Sequence, residues 1–184
     1  MSAAPTTDAA LRARLAFRPL ARTDFPQLLD WLQRPHVAEW WAPMSTLGDV
    51  EADLGWLVKD ADDLDPERGW IVLLDGAPVA YLQCYVPARH HADGWWRDVH
   101  DPGMRGLDQF IGEAALVGRG IGSAMIDAFC TRLFADPAVT RVQVDPSPGN
   151  PRAIRAYEKA GFRAAGVQET PDGPALLMYR DRDA

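Results

Sequence analysis

The chain has 184 residues, 47% of them hydrophobic, and its 19 basic against 26 acidic side chains leave a net charge of −7. That is enough chain and apolar content for one core in a single domain spanning 1–184, and the acidic balance argues against a non-specific binder of nucleic acid or of an anionic membrane. No window approaches the roughly 18 apolar residues of a membrane span, and Cys84 and Cys130 lie far apart in apolar surroundings, as buried thiols do. A cytoplasmic protein is expected, with residues 1–14 as a flexible arm.

Leu15–Leu20 alternates like a strand. Thr23 or Asp24 then caps a helix over Phe25–Gln33, where Phe25, Leu28, Leu29 and Leu32 recur at helical spacing. Pro35 breaks that helix, and a second amphipathic stretch, Leu47–Lys59, follows the aromatic cluster Glu39-Trp40-Trp41. Asp60–Arg68 is a polar loop. Trp70–Leu74 and Val79–Val86 flank Asp75-Gly76, whose residues suit the positive φ of a tight turn, so the pair predicts an antiparallel hairpin. Along its second arm Tyr81, Gln83 and Tyr85 share one face, opposite Leu82, Cys84 and Val86.

The connection from Pro87 to Gly106 is long for a compact domain and rich in Asp, His, Trp and Gly, which marks it as site material. His90 and His91 within it have no nearby cysteine and no second ligand at helical spacing, so they read as solvated loop residues and no metal is expected. Leu107–Ile111 reads as a strand, Gly120–Phe134 as a helix, Arg141–Val144 as a strand, Pro151–Ala160 as a helix and Ala175–Tyr179 as a last strand. The order is strands first, then an alternation of β and α.

Val117-Gly118-Arg119-Gly120-Ile121-Gly122 falls between a predicted strand and a predicted helix. Glycines there let successive backbone N–H groups turn inward, and the helix N-terminus adds partial positive charge, so main chain alone can hold a pyrophosphate. A dinucleotide Rossmann site would need its glycines near the start of a βαβ unit; here they follow an antiparallel hairpin. Downstream, Asn150-Pro-Arg-Ala153 opens a helix carrying Tyr157 and ending at Gly161-Phe162.

Together these two segments resemble the GNAT superfamily of acetyltransferases. The resemblance implies an α+β fold, a mixed, mostly antiparallel central sheet splayed between two central parallel strands and flanked by helices. It implies acetyl-CoA as cosubstrate, bound by Phe110, Ile111, Val117, Gly118, Arg119, Gly120, Ile121, Gly122, Ser123, Asn150, Ala153 and Tyr157. Val117 departs from the Gln or Arg usual at the first position of that loop. Tyr157 would protonate the departing thiolate.

The segments Glu39-Trp40-Trp41, Asp93-Gly94-Trp95-Trp96, Asp101–Phe110, Asp145-Pro-Ser-Pro148 and Thr170–Pro174 extend the resemblance over nearly the whole chain, to the aminoglycoside 6′-N-acetyltransferases, which are resistance enzymes. Aminoglycosides are polycations on sugar rings, so their site needs carboxylates and flat apolar faces. Asp93, Asp108, Asp145 and Asp172 supply the first, Trp40, Trp41, Trp95 and Trp96 the second, with Gln83 and Tyr85 as further contacts. Asp108 would take up the amine's proton in a direct transfer with no acyl-enzyme. A monomer or weak homodimer is expected, with neither nucleic acid nor membrane as partner. Among GNAT alternatives, siderophore acyltransferases usually carry His where this chain has Asp108 and lack the Asp-Gly-Trp-Trp loop, and protein N-acetyltransferases fit its acidic aromatic loops poorly. A non-catalytic acyl-CoA sensor would not need both Asp108 and Tyr157.

Overall fold

The structure is a computed structural model that describes residues 7–60 and 64–182. Parts of the expected N-terminal arm (1–6) and of the expected polar loop (61–63) therefore lie outside the described residues, while Thr7–Arg12 form a short helix, α1. Seven strands follow the order β1-β2-β3-β4-β5-β7-β6. Their ranges are β1 Leu15–Pro19, β2 Arg68–Leu74, β3 Ala77–Tyr85, β4 Met104–Ile111, β5 Arg141–Val144, β6 Arg163–Thr170 and β7 Gly173–Asp181. The only parallel pairing described is β4 with β5, and it covers three residue pairs, Met104 with Arg141, Arg105 with Val142 and Gly106 with Gln143. The sheet is thus mixed and mostly antiparallel, as expected. The chain divides into two compact units, one of residues up to Cys84 with Asp108–Arg119, the other of Tyr85–Leu107 with Gly120 onward.

In the first unit β1 and β3 flank β2, both antiparallel. The β2–β3 turn is the two-residue Asp75-Gly76, with φ of +51° and +82°, the left-handed pair that matches strand twist. Helices α2 (Phe25–Leu32), α3 (Pro35–Ala38) and α4 (Leu47–Leu54) bury Phe25, Leu28, Trp31, Leu32, Val37, Val50 and Leu54 in one cluster with Ile71, Tyr81 and Phe110. The sequence leaves α3 unassigned, because Pro35 reads as a breaker; it sits instead in the first turn, where its missing N–H costs nothing. Thr46 starts α4 by a capping box: its Oγ1 accepts from Asp49 N (3.2 Å) while Asp49 Oδ2 accepts from Thr46 N (2.8 Å). The amphipathic stretch expected to Lys59 leaves α-geometry at Leu54 and finishes as a 3₁₀ turn over Gly55–Leu57.

In the second unit β5 and β6 flank β7, again antiparallel. Strand β6 is the one the sequence does not announce. It is exposed along most of its length and bulged at Gly166 (φ +136°), so it carries no two-residue hydrophobic period. Strand β4 begins at Met104, three residues before its expected start, so the connection expected to run to Gly106 ends at Gly103. Helices α5 (Ile121–Phe134) and α6 (Pro151–Lys159) are tied to β7 by Arg180, whose Nη1 donates to Asp127 Oδ1 and to Ala160 O, both at 2.8 Å. The long connection before β4 covers an apolar cluster of Tyr85, Trp96 and Leu177 with Trp95, Val99 and Tyr179. Asp101 anchors it, accepting from Gly103 N (2.7 Å) and Thr140 Oγ1 (2.5 Å). No helix among the described residues is long and apolar enough to cross a membrane.

Candidate active site

The glycine turn does not follow β4 directly. A 3₁₀ turn, Ala114–Leu116, intervenes, and Val117 closes it by donating its N–H to Ala114 O at 3.2 Å. Gly118 and Gly120 then take φ of +79° and +81°, a conformation that side chains resist, and Gly120 is the N-cap of α5. A Cβ on Gly118 would meet nothing within 4 Å, so the turn is open on that side. The N–H groups of Ile121, Gly122 and Ser123 lie in the first turn of α5, where no intrahelical carbonyl reaches them. Ser123 instead spends its hydroxyl on Gly120 O (3.0 Å). Residues 118–123 thus have the alternating φ values and first-turn donors of an anion cradle, and they fit the diphosphate of a coenzyme A.

Helix α6 is fixed at both ends. Asn150 caps it by accepting from Ala153 N (3.0 Å), and Pro151 occupies the first turn. At the other end Phe162 N donates to Tyr157 O (3.0 Å) and Gly161 N to Glu158 O (3.0 Å), with Gly161 at φ +88°. This is a Schellman motif, and its usual apolar contact is the Tyr157–Phe162 ring pair at 5.6 Å. Gly161 is therefore the residue after the cap, which is Ala160, and Phe162 packs on Tyr157 itself. Tyr157 is 6% exposed.

The first unit holds the Asp108 group. Tyr81 Oη donates to Gln83 Oε1 at 3.0 Å, and Gln83 Nε2 donates to Asp108 Oδ2 at 2.9 Å. Trp41 and Phe110 pack beside them, Trp41 5.0 Å from the Phe110 ring and 6.0 Å from Tyr81. Burial first, and then the charges of Asp108 and Asp53, push the Tyr81 phenol well above its ordinary pKa, so it stays protonated. Phe110, an expected cofactor residue, is a core side chain, and the carbonyl of Ile111 is 3.0 Å from His36 Nε2. Trp40 is 39% exposed and outside this cluster.

In the second unit a cleft of about 540 Å³ is lined by Asp93–Asp98 and Gln168–Pro171. It brings together Asp93, Trp95 and Trp96 of the expected substrate set. Trp96 at 4% exposure, with φ +48°, mainly fills the apolar cluster beneath, while Trp95 is half-buried against it. Tyr85 belongs to the same cluster. Asp172 stands exposed in the β6–β7 turn, with its N–H 3.3 Å from Thr170 Oγ1, and Asp145 follows β5; neither lines this cleft. Asp98, Gln168 and Glu169 also line it; the sequence does not mark the latter two, because they stand on β6. His90 and His91, expected to be solvated, are half-buried: the Tyr85 ring lies 5.7 Å from His90, and His91 Nε2 is 2.7 Å from Val99 O.

Two parallel strands that pair over only three residues, the first followed by a positive-φ glycine turn at a helix N-terminus, define an acyl-CoA N-acyltransferase fold of the GNAT class. The acetyltransferase (GNAT) domain family matches residues 21–170. Over 173 residues the chain is 42% identical to aminoglycoside N(6′)-acetyltransferase type 1 of Klebsiella pneumoniae, covering 92% of this chain and 84% of that protein. It superposes on the structure of AAC(6′)-Ib in complex with paromomycin and acetyl-CoA with a TM-score of 0.83 at 41% identity, over 92% of this chain and 94% of that one. The complex of AAC(6′)-Ib with coenzyme A and kanamycin gives 0.82 at 42% identity, over 92% and 95%. The chain belongs to the GNAT acetyltransferases, in the family of the aminoglycoside N(6′)-acetyltransferases.

Proposed function

We propose that this chain transfers the acetyl group of acetyl-CoA to the 6′-amino group of aminoglycosides. The observation that carries the reading is the relationship along nearly the whole chain, 42% identity over 92% of it, to an aminoglycoside N(6′)-acetyltransferase. The cleft beside Trp95 supports it. Asp93, Asp98 and Glu169 offer carboxylates to ammonium groups, and Trp95 offers an apolar face to a sugar ring.

Acetyl-CoA, as substrate, supplies the acyl group as a thioester. The backbone of residues 118–123 holds its diphosphate against the N-terminus of α5, and Asn150, capping at Ala153, fixes the start of α6 for a further contact to the coenzyme. The attacking amine must first lose a proton, because an ammonium has no lone pair; Asp108 takes that proton. Tyr157, held by the Schellman turn, returns one to the leaving sulfur. No acyl-enzyme forms. The chain acts as a monomer or weak homodimer in the cytoplasm, with no metal.

The test follows thiol release from acetyl-CoA with kanamycin-class acceptors that have or lack a 6′-amino group, beside hydroxylysine-type siderophore precursors. Turnover that requires the 6′-amine is the expected outcome. Turnover only with the siderophore precursors would overturn the acceptor assignment.

A further inference from the structure

The sequence puts Tyr81, Gln83 and Tyr85 on one face of β3 and offers Gln83 as a substrate contact. The hydrogen bonds give Gln83 another task. Its amide is engaged at both ends, receiving the Tyr81 hydroxyl on Oε1 (3.0 Å) and donating from Nε2 to Asp108 (2.9 Å).

An ionised carboxylate accepts hydrogen bonds and cannot donate them, whereas a primary amide can present either end. Gln83 serves Asp108 only with its NH₂ turned to the carboxylate, and then its carbonyl faces the opposite way and needs a donor. Tyr81 is that donor. Its side chain is fully buried, packed between Trp41 and Phe110 at ring distances of 6.0 and 5.4 Å, so the hydroxyl is fixed in position. The charged groups acting on the phenol are Asp108 on β4 and Asp53 on α4, both acidic; they and the burial keep it protonated, hence a donor, through the working pH range.

We propose that Tyr81 is a positioning residue for acetyl transfer, locking the Gln83 amide so that its NH₂ holds Asp108 in one place and in its ionised form. The inference deepens the proposed function and rests on it for the role of Asp108. It moves Gln83 from the substrate-contact set to the support of the base.

Two consequences separate this lock from mere packing. Removing the phenol oxygen in Tyr81→Phe keeps the ring but frees the amide to swivel, so the Asp108 carboxyl loses a fixed donor and its titration moves upward. Removing the amide in Gln83→Leu has the same effect, and once it is gone the phenol has nothing left to orient.

The experiment measures the Asp108 carboxyl titration by NMR on protein carrying carboxyl-¹³C aspartate, with Asp108→Asn to assign the signal, and the pH profile of kcat/KM with a 6′-amino acceptor. Tyr81→Phe should raise the Asp108 titration, shift the acid limb of kcat/KM the same way and lower kcat roughly tenfold, with KM for acetyl-CoA unchanged, a loss typical of a slightly misplaced catalytic group. Adding Tyr81→Phe to Gln83→Leu should change either readout less than about twofold. An unchanged titration in Tyr81→Phe, or an undiminished effect of Tyr81→Phe on top of Gln83→Leu, would overturn the lock. If Tyr81→Phe does not fold, the wild-type Tyr81 hydroxyl proton reads the lock: buried and donated to Gln83, it should exchange slowly with solvent and clearly faster in Gln83→Leu, and equal exchange in the two refutes the proposal. The NMR arm uses no substrate, so failure of wild-type protein to acetylate aminoglycosides is distinguishable from failure of the lock.

Discussion

Gly106→Ala tests how the floor of the aromatic cluster is packed. A Cβ at Gly106 would lie 2.2, 2.4 and 2.6 Å from Cζ, Cε2 and Cε1 of Tyr85, where carbon atoms ordinarily approach no closer than about 3.5 Å. The ring must therefore move by about 1 Å or more. It has little room: Tyr85 is 8% exposed and packed against Trp96 and Leu177. Overpacking of this kind costs about 1–3 kcal/mol, which is roughly a 5- to 150-fold fall in the folded-to-unfolded ratio. Urea unfolding at an unchanged m-value reads the loss, and the acceptor KM should rise with it, because Trp95 and Trp96 rest on the displaced ring. Combining Gly106→Ala with Tyr85→Leu removes the clash, so the double variant should lose clearly less stability than the two single losses added together. Strict additivity, or a Gly106→Ala variant within about 0.5 kcal/mol of wild type, would refute this account of the contact.

Asp108→Asn should lower kcat far more than it changes acetyl-CoA affinity, measured by steady-state kinetics and equilibrium binding; unchanged turnover would remove Asp108 from the chemistry. Burial alone would raise the Asp24 carboxyl, but the Arg18 fork (2.6 Å at each oxygen) and the Ala21 N–H (3.0 Å) outweigh it and hold the pKa below its usual value. A depressed folded pKa means stability that is full above the unfolded value, about 3.9, and is lost as pH falls through the folded one. Arg18→Met should thus cost about 1 kcal/mol at neutral pH, modest because Arg18 is partly exposed, and the gap to wild type in urea midpoints should close below about pH 4. Burial pushes the Cys130 thiol up to about 12, and Cys84 is buried too, so neither is a ready nucleophile; a double Cys84→Ala, Cys130→Ala variant that stays folded should keep its turnover.

What the sequence made legible was set by local backbone demands. Gly118, Gly120 and Gly161 stand where φ is positive, Asp75-Gly76 where a two-residue turn is needed, and Asn150 where a helix needs a cap. Each is decided within a few residues of chain, so single-sequence reasoning reaches it. Strand β6 is not legible because its exposed residues obey no period, and neither, therefore, are Gln168 and Glu169 of the cleft. The paired tryptophans could be read as flat faces for a sugar, but composition does not distinguish Trp95, half-buried at the cleft, from Trp96, turned into the cluster by its positive φ.

Asp108 shows the same limit from the other side. Alternation along β3 puts Tyr81, Gln83 and Tyr85 on one face, yet what they meet depends on the register against β4, which no local pattern fixes. Within the first unit the contacts supply it: Gln83 lies on Asp108, Tyr81 beside Phe110, and Val79 O accepts from Gly112 N at 2.9 Å. Residues two apart on β3 thus meet residues two apart along the β4 segment, in the opposite order. A slip of one residue would set Leu107 and Gln109 against this face and leave the Asp108 carboxylate without the Gln83 amide. The amide opposite the carboxylate selects this register. The side chains that hold the proposed base are thus also part of what aligns the strand carrying it.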